Sequence, residues 1–303
     1  MNLQPIEKIA AKYGAECCRN EKLSKYTSFE IGGCCDILVK PNSADCLMEV
    51  LKSCRENGIN YYILGRGSNV IISDKGLKGA VILLSSDFSN IWQGEEDNER
   101  IYCAAGASLT KVCAFARDNS LTGLEFAFGI PGSVGGALYM NAGAYGGEMK
   151  DVVESCFYLD QNLELKKMSA SEMELSYRHS VFSGKNYVIT AVCFKLQKGD
   201  KAEISAKMSE LMEKRRSKQP LEYPSAGSTF KRPEGDFAAR LIEASGLKGY
   251  TCGGAQVSEK HSGFVINKDN ASFEDVMNVI KGVKEKVYAD SGVMLECEVL
   301  IMK

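Results

Sequence analysis

Leu47, Val50, Leu51 and Cys54 recur at the spacing of one helix face, after Ser43 and before Gly58. That pattern predicts an amphipathic helix with a serine cap and a glycine stop. Short apolar runs follow. "NYYILG" (60–65), "GAVILLS" (79–85) and "ERIYCAAGA" (99–107) read as strands, and Ser108 opens a helix over "LTKVCAFARDNS" (109–120). "DVVESCFYLD" (151–160) and "YVITAVCFKLQ" (187–197) alternate like half-buried strands. After Gly199 the character changes. "AEISAKMSELMEKRRSKQP" (202–220) is an amphipathic helix with a basic end that suits the helix dipole. "DFAARLIEASGLKG" (236–249) is a short helix, "SGFVIN" (262–267) a strand, and Ser272 with Asp275 forms a capping box for a long helix ending at Gly292. "VMLECEVLIM" (293–302) reads as a closing strand. Strands and helices are mixed rather than strictly alternating, which predicts an α+β fold with a border near residue 200.

Charge and composition narrow the function classes. A formal net charge of −2 over 303 residues gives no polybasic footprint for nucleic acid or an anionic membrane. No run of eighteen apolar residues occurs, and the first 22 residues carry charges throughout rather than a signal-peptide core. A cytoplasmic protein is expected. Twelve cysteines include no CxxC pair, and only two histidines are present, so neither a zinc site nor any other metal is expected. The cysteines read as small buried or half-buried thiols of a reducing compartment.

Two glycine-rich stretches suggest chemistry. "LGRGSN" (64–69) ends a strand in a turn that lets backbone N–H groups converge on an anion. It lacks the Lys-Ser/Thr of a P-loop and the third glycine of a dinucleotide fingerprint, and it reads equally as a plain turn. The longer stretch, "FGIPGSVGGALYMNAGAYGG" (128–147), carries glycine at 129, 132, 135, 136, 143, 146 and 147. Part of it suits a tight helical segment, in which each interior glycine costs about 1 kcal/mol. Close backbone contact would offset that cost. The contact is either a wall against a flat or phosphorylated ligand or close packing between two domains.

Three further segments hold single candidates. In "SYRHSVF" Arg178 lies between Tyr177 and His179, ahead of Val181 and Phe182, which suits a buried guanidinium facing a carboxylate. In "PSAGSTFKRPEG" Ala226 and Gly227 leave room around the Ser228 hydroxyl, with Lys231 and Arg232 nearby; a basic turn is the plainer reading. In "LECEVLIM" Glu296 and Glu298 share one strand face by period two.

Together these segments resemble the UDP-N-acetylenolpyruvoylglucosamine reductase family. Its markers occur here in order: "TSFEIGG" (27–33), "GRGSN" (65–69), "GIPGSVGGALYMNAGAYG" (129–146), "SYRHSVF" (176–182), "AGSTFKRP" (226–233), "LIEASGLKGYTCGGAQVSEKHSGFVIN" (241–267) and "LECEV" (295–299). The resemblance implies two N-terminal FAD-binding subdomains of the vanillyl-alcohol-oxidase type and a C-terminal α+β substrate domain. They would span residues 1–64, 65–199 and 200–303, with the last strand, about 294–303, returning toward the flavin. Gly65, Gly67, Ser68 and Asn69 would cradle the FAD pyrophosphate, and Gly129, Pro131, Gly132, Ser133, Gly135, Gly136, Asn141 and Gly143 would line the cofactor.

The family's chemistry maps onto Arg178, Ser228 and Glu298. NADPH gives hydride to flavin N5, which passes it to C3 of the enolpyruvyl group of UDP-N-acetylglucosamine enolpyruvate. Arg178 would bind the carboxylate, Glu298 would polarise it, and Ser228, aided by cations such as Lys231, would protonate C2 to give UDP-N-acetylmuramate for the cell wall. Arg216, Arg232, Lys248 and His261 fall where the family contacts the nucleotide sugar, and a monomer is expected. About fifty residues separate Arg178 from Ser228, too few for the tyrosine-bearing insertion of the family's longer class. Two other readings fit parts of the pattern: an alcohol-oxidising flavoenzyme of the same superfamily, and a non-catalytic nucleotide-sugar or flavin-binding regulator.

Overall fold

The computed structural model describes residues 2–303, and these form two compact units, neither continuous in sequence. The first takes in 2–19, Ile37–Arg66 and Gly79–Lys214; the second takes in Asn20–Asp36, Gly67–Lys78 and Arg215–Lys303. The sequence pattern set a border near residue 200, and the family resemblance a further one at residue 64. Packing groups the chain differently because each unit collects apolar residues from distant segments.

In the first unit a five-stranded antiparallel sheet runs in the order Leu165–Ser169, Val153–Leu159, Val188–Lys195, Arg100–Ala104, Ile91–Gln93. The apolar alternation read from the sequence fixes its register: Cys156 faces Val192, which faces Cys103, and all three are buried. Helix Leu109–Asp118 adds Leu109, Val112, Cys113 and Ala116 to the same core. Helix Ala44–Glu56 begins where the Ser43 hydroxyl accepts from the Cys46 N–H at 3.2 Å, and Gly58 follows its end at φ +61°. Strand Tyr61–Leu64 pairs in parallel with residues 80–83 and delivers the chain to Gly65. Helix Lys201–Lys218 lays Ile204 and Met208 into this core, its first N–H groups held by the Asp200 carboxylate.

The second unit has a four-stranded antiparallel sheet in the order Ser225–Ser228, Phe264–Asn267, Ala255–Val257, Thr251–Cys252. Helix Phe273–Ser291 covers it with Val276, Val279, Ile280, Val283 and Val287, all buried. Its Ser272–Asp275 capping box is formed as the sequence predicted, at 3.1 and 2.9 Å. Phe29, Ile31 and Ile71 pack into the same core from the N-terminal segments.

The closing strand is shorter than its pattern. Only Leu300–Met302 is a regular strand, parallel to Val70–Ile72. Residues 296–298 pair instead with 229–231: the Lys231 N–H donates to the Glu296 carbonyl, and the Glu298 N–H to the Thr229 carbonyl. The inside–outside alternation still holds, with Leu295 and Val299 buried and Glu296 exposed, but the chain changes partners at residue 299.

Every cysteine is a free thiol, and most are buried. Burial pushes Cys17 up to about 11 and Cys113 up to about 12, so these thiols stay protonated. Among the described residues no helix is long and apolar enough to cross a membrane, and no cluster of His, Cys, Asp or Glu has the makings of a metal site.

Candidate functional site

The glycine-rich stretch divides by what each glycine touches. Ser133 caps the short helix Val134–Tyr139, its hydroxyl accepting from the Gly136 N–H at 3.3 Å. A Cβ on Gly65 would lie 2.2 Å from that hydroxyl. One on Gly135 would lie 2.8 Å from the Ala105 Cβ, one on Gly143 2.7 Å from the Gly147 carbonyl, and one on Gly147 2.6 Å from the Phe126 ring. These glycines let the unit pack on itself. Gly136 differs: it is exposed, and a Cβ there would meet only the Ser133 hydroxyl, at 3.2 Å. A bare helical position at the surface costs stability and returns no packing, so it suits close approach by a flat group. With exposed Pro131 and half-buried Gly129 and Gly132 it forms a rim without bulky side chains. Arg66 reaches this rim, its Nε donating to the Pro131 carbonyl at 3.2 Å.

Two residues expected to line the cofactor spend their side chains inside the protein. Ser133, 2% exposed, is a helix cap. Asn141, 0% exposed, donates to Glu148 Oε2 at 2.7 Å and to the Ser176 carbonyl at 3.0 Å, and its Oδ1 accepts from the Lys150 N–H at 2.9 Å.

Arg178 occupies the tip of a tight hairpin. Ser176 and His179 exchange backbone hydrogen bonds at 3.1 and 3.2 Å, leaving Tyr177 and Arg178 as the two loop residues. Arg178 has φ +54°, a conformation that costs an L-residue roughly 1–2 kcal/mol and that such turns usually give to glycine or asparagine. Its guanidinium lies 5.1 Å from the centre of the exposed Tyr177 ring. The sequence suggested a buried arginine; it is half-buried, because a two-residue loop holds it off the sheet. Ser180, fully buried, anchors the next residue pair by donating to the Tyr139 carbonyl at 2.6 Å.

In the second unit Ser228 and Glu298 come onto neighbouring segments. Gly227, at φ +74° with open space on its Cβ side, breaks the register between Ser225 and Ser228. Such a bulge re-aims the following side chain, and Ser228 emerges half-buried. The bond from the Glu298 N–H to the Thr229 carbonyl, 2.8 Å, sets Glu298 beside it. The loop residue Asn69 holds the Glu298 segment: its Nδ2 lies 3.4 Å from the Glu298 carbonyl, and its own carbonyl accepts from the Leu300 N–H. Gly67, at φ +60°, fits against the Tyr26 carbonyl where a Cβ would lie at 2.1 Å. Ser68 is half-buried on the same turn.

Lys231 is not a bare cation: its ammonium pairs with Glu296 at 3.2 Å. The other expected cations also have assignments. Lys248 is exposed and bonded to Glu243 at 2.6 Å. Arg232 is exposed, its guanidinium 4.6 Å from the ring centre of Phe237, itself 57% exposed. Arg216 is exposed on its helix, whereas its neighbour Arg215 is buried. His261 is not a cation at neutral pH: burial lowers its pKa below 6.5, and its Nδ1 accepts from the Gly263 N–H at 3.2 Å, which leaves the ring proton on Nε2. The ring meets Phe264 edge-on at 4.9 Å.

Sequence reasoning missed the structural duty of Asn141 and the Asn69–Glu298 link. No local signal marks either, since the partners lie 35 and 229 residues away.

Known proteins match this chain along its length. Residues 35–168 match the family model described as FAD binding domain, and residues 219–302 that of the UDP-N-acetylenolpyruvoylglucosamine reductase, C-terminal domain. A UDP-N-acetylenolpyruvoylglucosamine reductase of Caldanaerobacter subterraneus subsp. tengcongensis is 48% identical over 283 residues, covering 93% of this chain and 92% of the relative. That of Clostridium tetani is 48% identical over 298 residues, covering 98% and 96%. The crystal structure of the UDP-N-acetylenolpyruvylglucosamine reductase from Thermus caldophilus matches with a TM-score of 0.80 at 32% identity, covering 95% of this chain and 99% of that one.

Proposed function

Because the chain belongs to the UDP-N-acetylenolpyruvoylglucosamine reductase family, we propose that it uses NADPH as hydride source and Arg178, Ser228 and Glu298 as its catalytic residues. The protein is an FAD-dependent oxidoreductase of peptidoglycan precursor synthesis, reducing UDP-N-acetylenolpyruvoylglucosamine. The bare rim of Gly129, Pro131, Gly132 and Gly136 and the turn Gly65–Asn69 are the surfaces that hold the cofactor, Gly65, Gly135 and Gly143 contributing through the close packing behind them. When bound, the FAD relays hydride from NADPH to C3 of the enolpyruvyl group.

The protein's own part is to manage charge and one proton. Hydride arrival at C3 places negative charge at C2 and in the attached carboxylate. Arg178 binds that carboxylate with its planar fork, and Glu298 orients and polarises it; both act where charge develops. Ser228 donates the proton to C2 as general acid. The observation that supports this most directly is local: a positive-φ glycine, Gly227, breaks the sheet register just before the half-buried Ser228, and the Glu298 N–H donates to the carbonyl of the next residue, Thr229. Arg216, Arg232 and Lys248 attract the diphosphate, and His261, neutral, offers its Nε2 proton as a hydrogen-bond donor to the nucleotide sugar.

Anaerobic visible absorbance of the purified protein tests the reading. NADPH bleaches the flavin band, and the enolpyruvyl nucleotide sugar restores it. Bleaching by NADPH without restoration by that substrate refutes the assignment, and bleaching by NADH alone refutes the coenzyme.

A further inference from the structure

The most deeply buried polar side chain of the glycine-rich stretch touches the turn that carries Arg178. Asn141 is fully buried at φ +41°, a conformation that asparagine tolerates better than most residues. Its amide orientation is determined by its partners. Nδ2 faces two acceptors, the Glu148 carboxylate and the Ser176 carbonyl, while Oδ1 faces the Lys150 N–H. Glu148 is itself fixed, its N–H bonded to Asp151 at 2.8 Å and its carboxylate 3.2 Å from the Lys150 ammonium. Asn141 therefore grips the first residue of a hairpin whose tip is Arg178 in a strained backbone conformation.

We propose that Asn141 is the positioning residue for Arg178. It acts through the Ser176 carbonyl to hold the two-residue loop so that the guanidinium is presented to a carboxylate. This rests on the reading of Arg178 above. The glycine-rich stretch then has two jobs: its bare rim faces the cofactor, and its one buried amide aims the arginine that selects the acid group of the substrate.

The test compares two ligands on the holoenzyme by calorimetry. One is the enolpyruvyl nucleotide sugar; the other is UDP-N-acetylglucosamine, which lacks the carboxylate. Asn141→Gly keeps the backbone conformation accessible and deletes the amide; Asn141→Ser covers the case in which the glycine variant does not fold. The variant weakens the enolpyruvyl ligand about tenfold, the effect of losing hydrogen bonds that hold a charged clamp. It leaves UDP-N-acetylglucosamine within about twofold, and flavin bleaching by NADPH is unchanged. In an Arg178→Lys background, which itself weakens only the carboxylate ligand, Asn141→Gly adds less than about twofold, because both changes remove one interaction. Equal weakening of both ligands, or full multiplication of the two losses in the double variant, overturns the proposal. Undiminished discrimination in Arg178→Lys alone overturns the carboxylate role of Arg178 and this inference with it, whereas a normal Asn141→Gly beside an impaired Arg178→Lys overturns this inference only.

Discussion

Gly135 and Gly136 are neighbours in one short helix, yet alanine at the two positions has opposite consequences. Neither has a positive φ, so backbone conformation permits the substitution at both. At Gly135 the new methyl would lie 2.8 Å from the Ala105 Cβ and 3.2 Å from the Ala105 carbonyl. That carbonyl accepts the Gly135 N–H at 2.8 Å, and the Ala105 N–H is tied to Thr190, so neither side yields without breaking backbone bonds. Overpacking of this kind costs about 1–3 kcal/mol. A kilocalorie moves the melting temperature of a chain of 150–250 residues by about 2–4 °C, so Gly135→Ala melts several degrees low. At Gly136 the methyl points to solvent and meets only the Ser133 hydroxyl at 3.2 Å, a group that shifts by a few tenths of an ångström. Helix propensity gains up to about 1 kcal/mol there, so the apoprotein melts at or slightly above the parent temperature. The same methyl stands on the rim proposed to hold the cofactor, and the purified Gly136→Ala protein is expected to carry less flavin. Calorimetry of flavin-stripped protein and the ratio of visible to ultraviolet absorbance of the holoprotein read these two effects. A Gly135→Ala apoprotein as stable as the parent, or a Gly136→Ala protein with full flavin content, refutes the division into packing glycines and ligand-facing glycines.

Two further expectations concern single side chains. Ser228→Ala keeps flavin bleaching by NADPH within about twofold but slows reoxidation by the enolpyruvyl substrate by a factor of about 10²–10⁴, the range of general acid catalysis; stopped-flow absorbance showing both half-reactions slowed equally makes Ser228 structural. His261 has a folded pKa lowered by burial, so the unfolded chain binds its proton more readily. Its contribution to stability is full above pH 6.5 and is lost as pH falls through the lowered folded value. Denaturant midpoints at pH 7.5 and 5.5 fall further on acidification in the parent than in His261→Gln, and equal falls count against the assignment.

The readable parts of this fold are those whose causes lie within a few residues. Ser43 and Ser272 cap helices by bonding N–H groups three positions on, and each was visible as a serine ahead of an apolar period. Three strands of the five-stranded sheet, Arg100–Ala104, Val153–Leu159 and Val188–Lys195, were visible because burial on a pleated surface writes period two into the sequence; its two edge strands were not read. The closing segment misled because an apolar pattern records burial, not pairing: residues 295–299 alternate and 299–302 are all apolar, while their hydrogen bonds pass from the 229–231 segment to Val70–Ile72. The candidate site was legible as a set of residue types in family order. What each type does was not. Ser133 and Asn141 sit among glycines that the family resemblance assigns to the cofactor, and only the folded chain shows that both side chains turn inward. Lys231 looked like help for Ser228 because it is near in sequence, and only the folded chain shows its ammonium paired with Glu296.

The parallel pairing of Val70–Ile72 with Leu300–Met302 spans about 230 residues and involves the last strand of the chain. On a ribosome adding about 5–20 residues per second, the early strand waits on the order of 10–45 s before its partner has been made. Through that interval Ile71, which ends fully buried, has no finished core to enter. The turn just ahead of it, with Asn69 bonded to Glu298 and Leu300, is completed last of all. Synthesis order thus makes Leu300–Met302 the condition for this turn: until that strand exists, the turn that carries Asn69 lacks the partners that secure it.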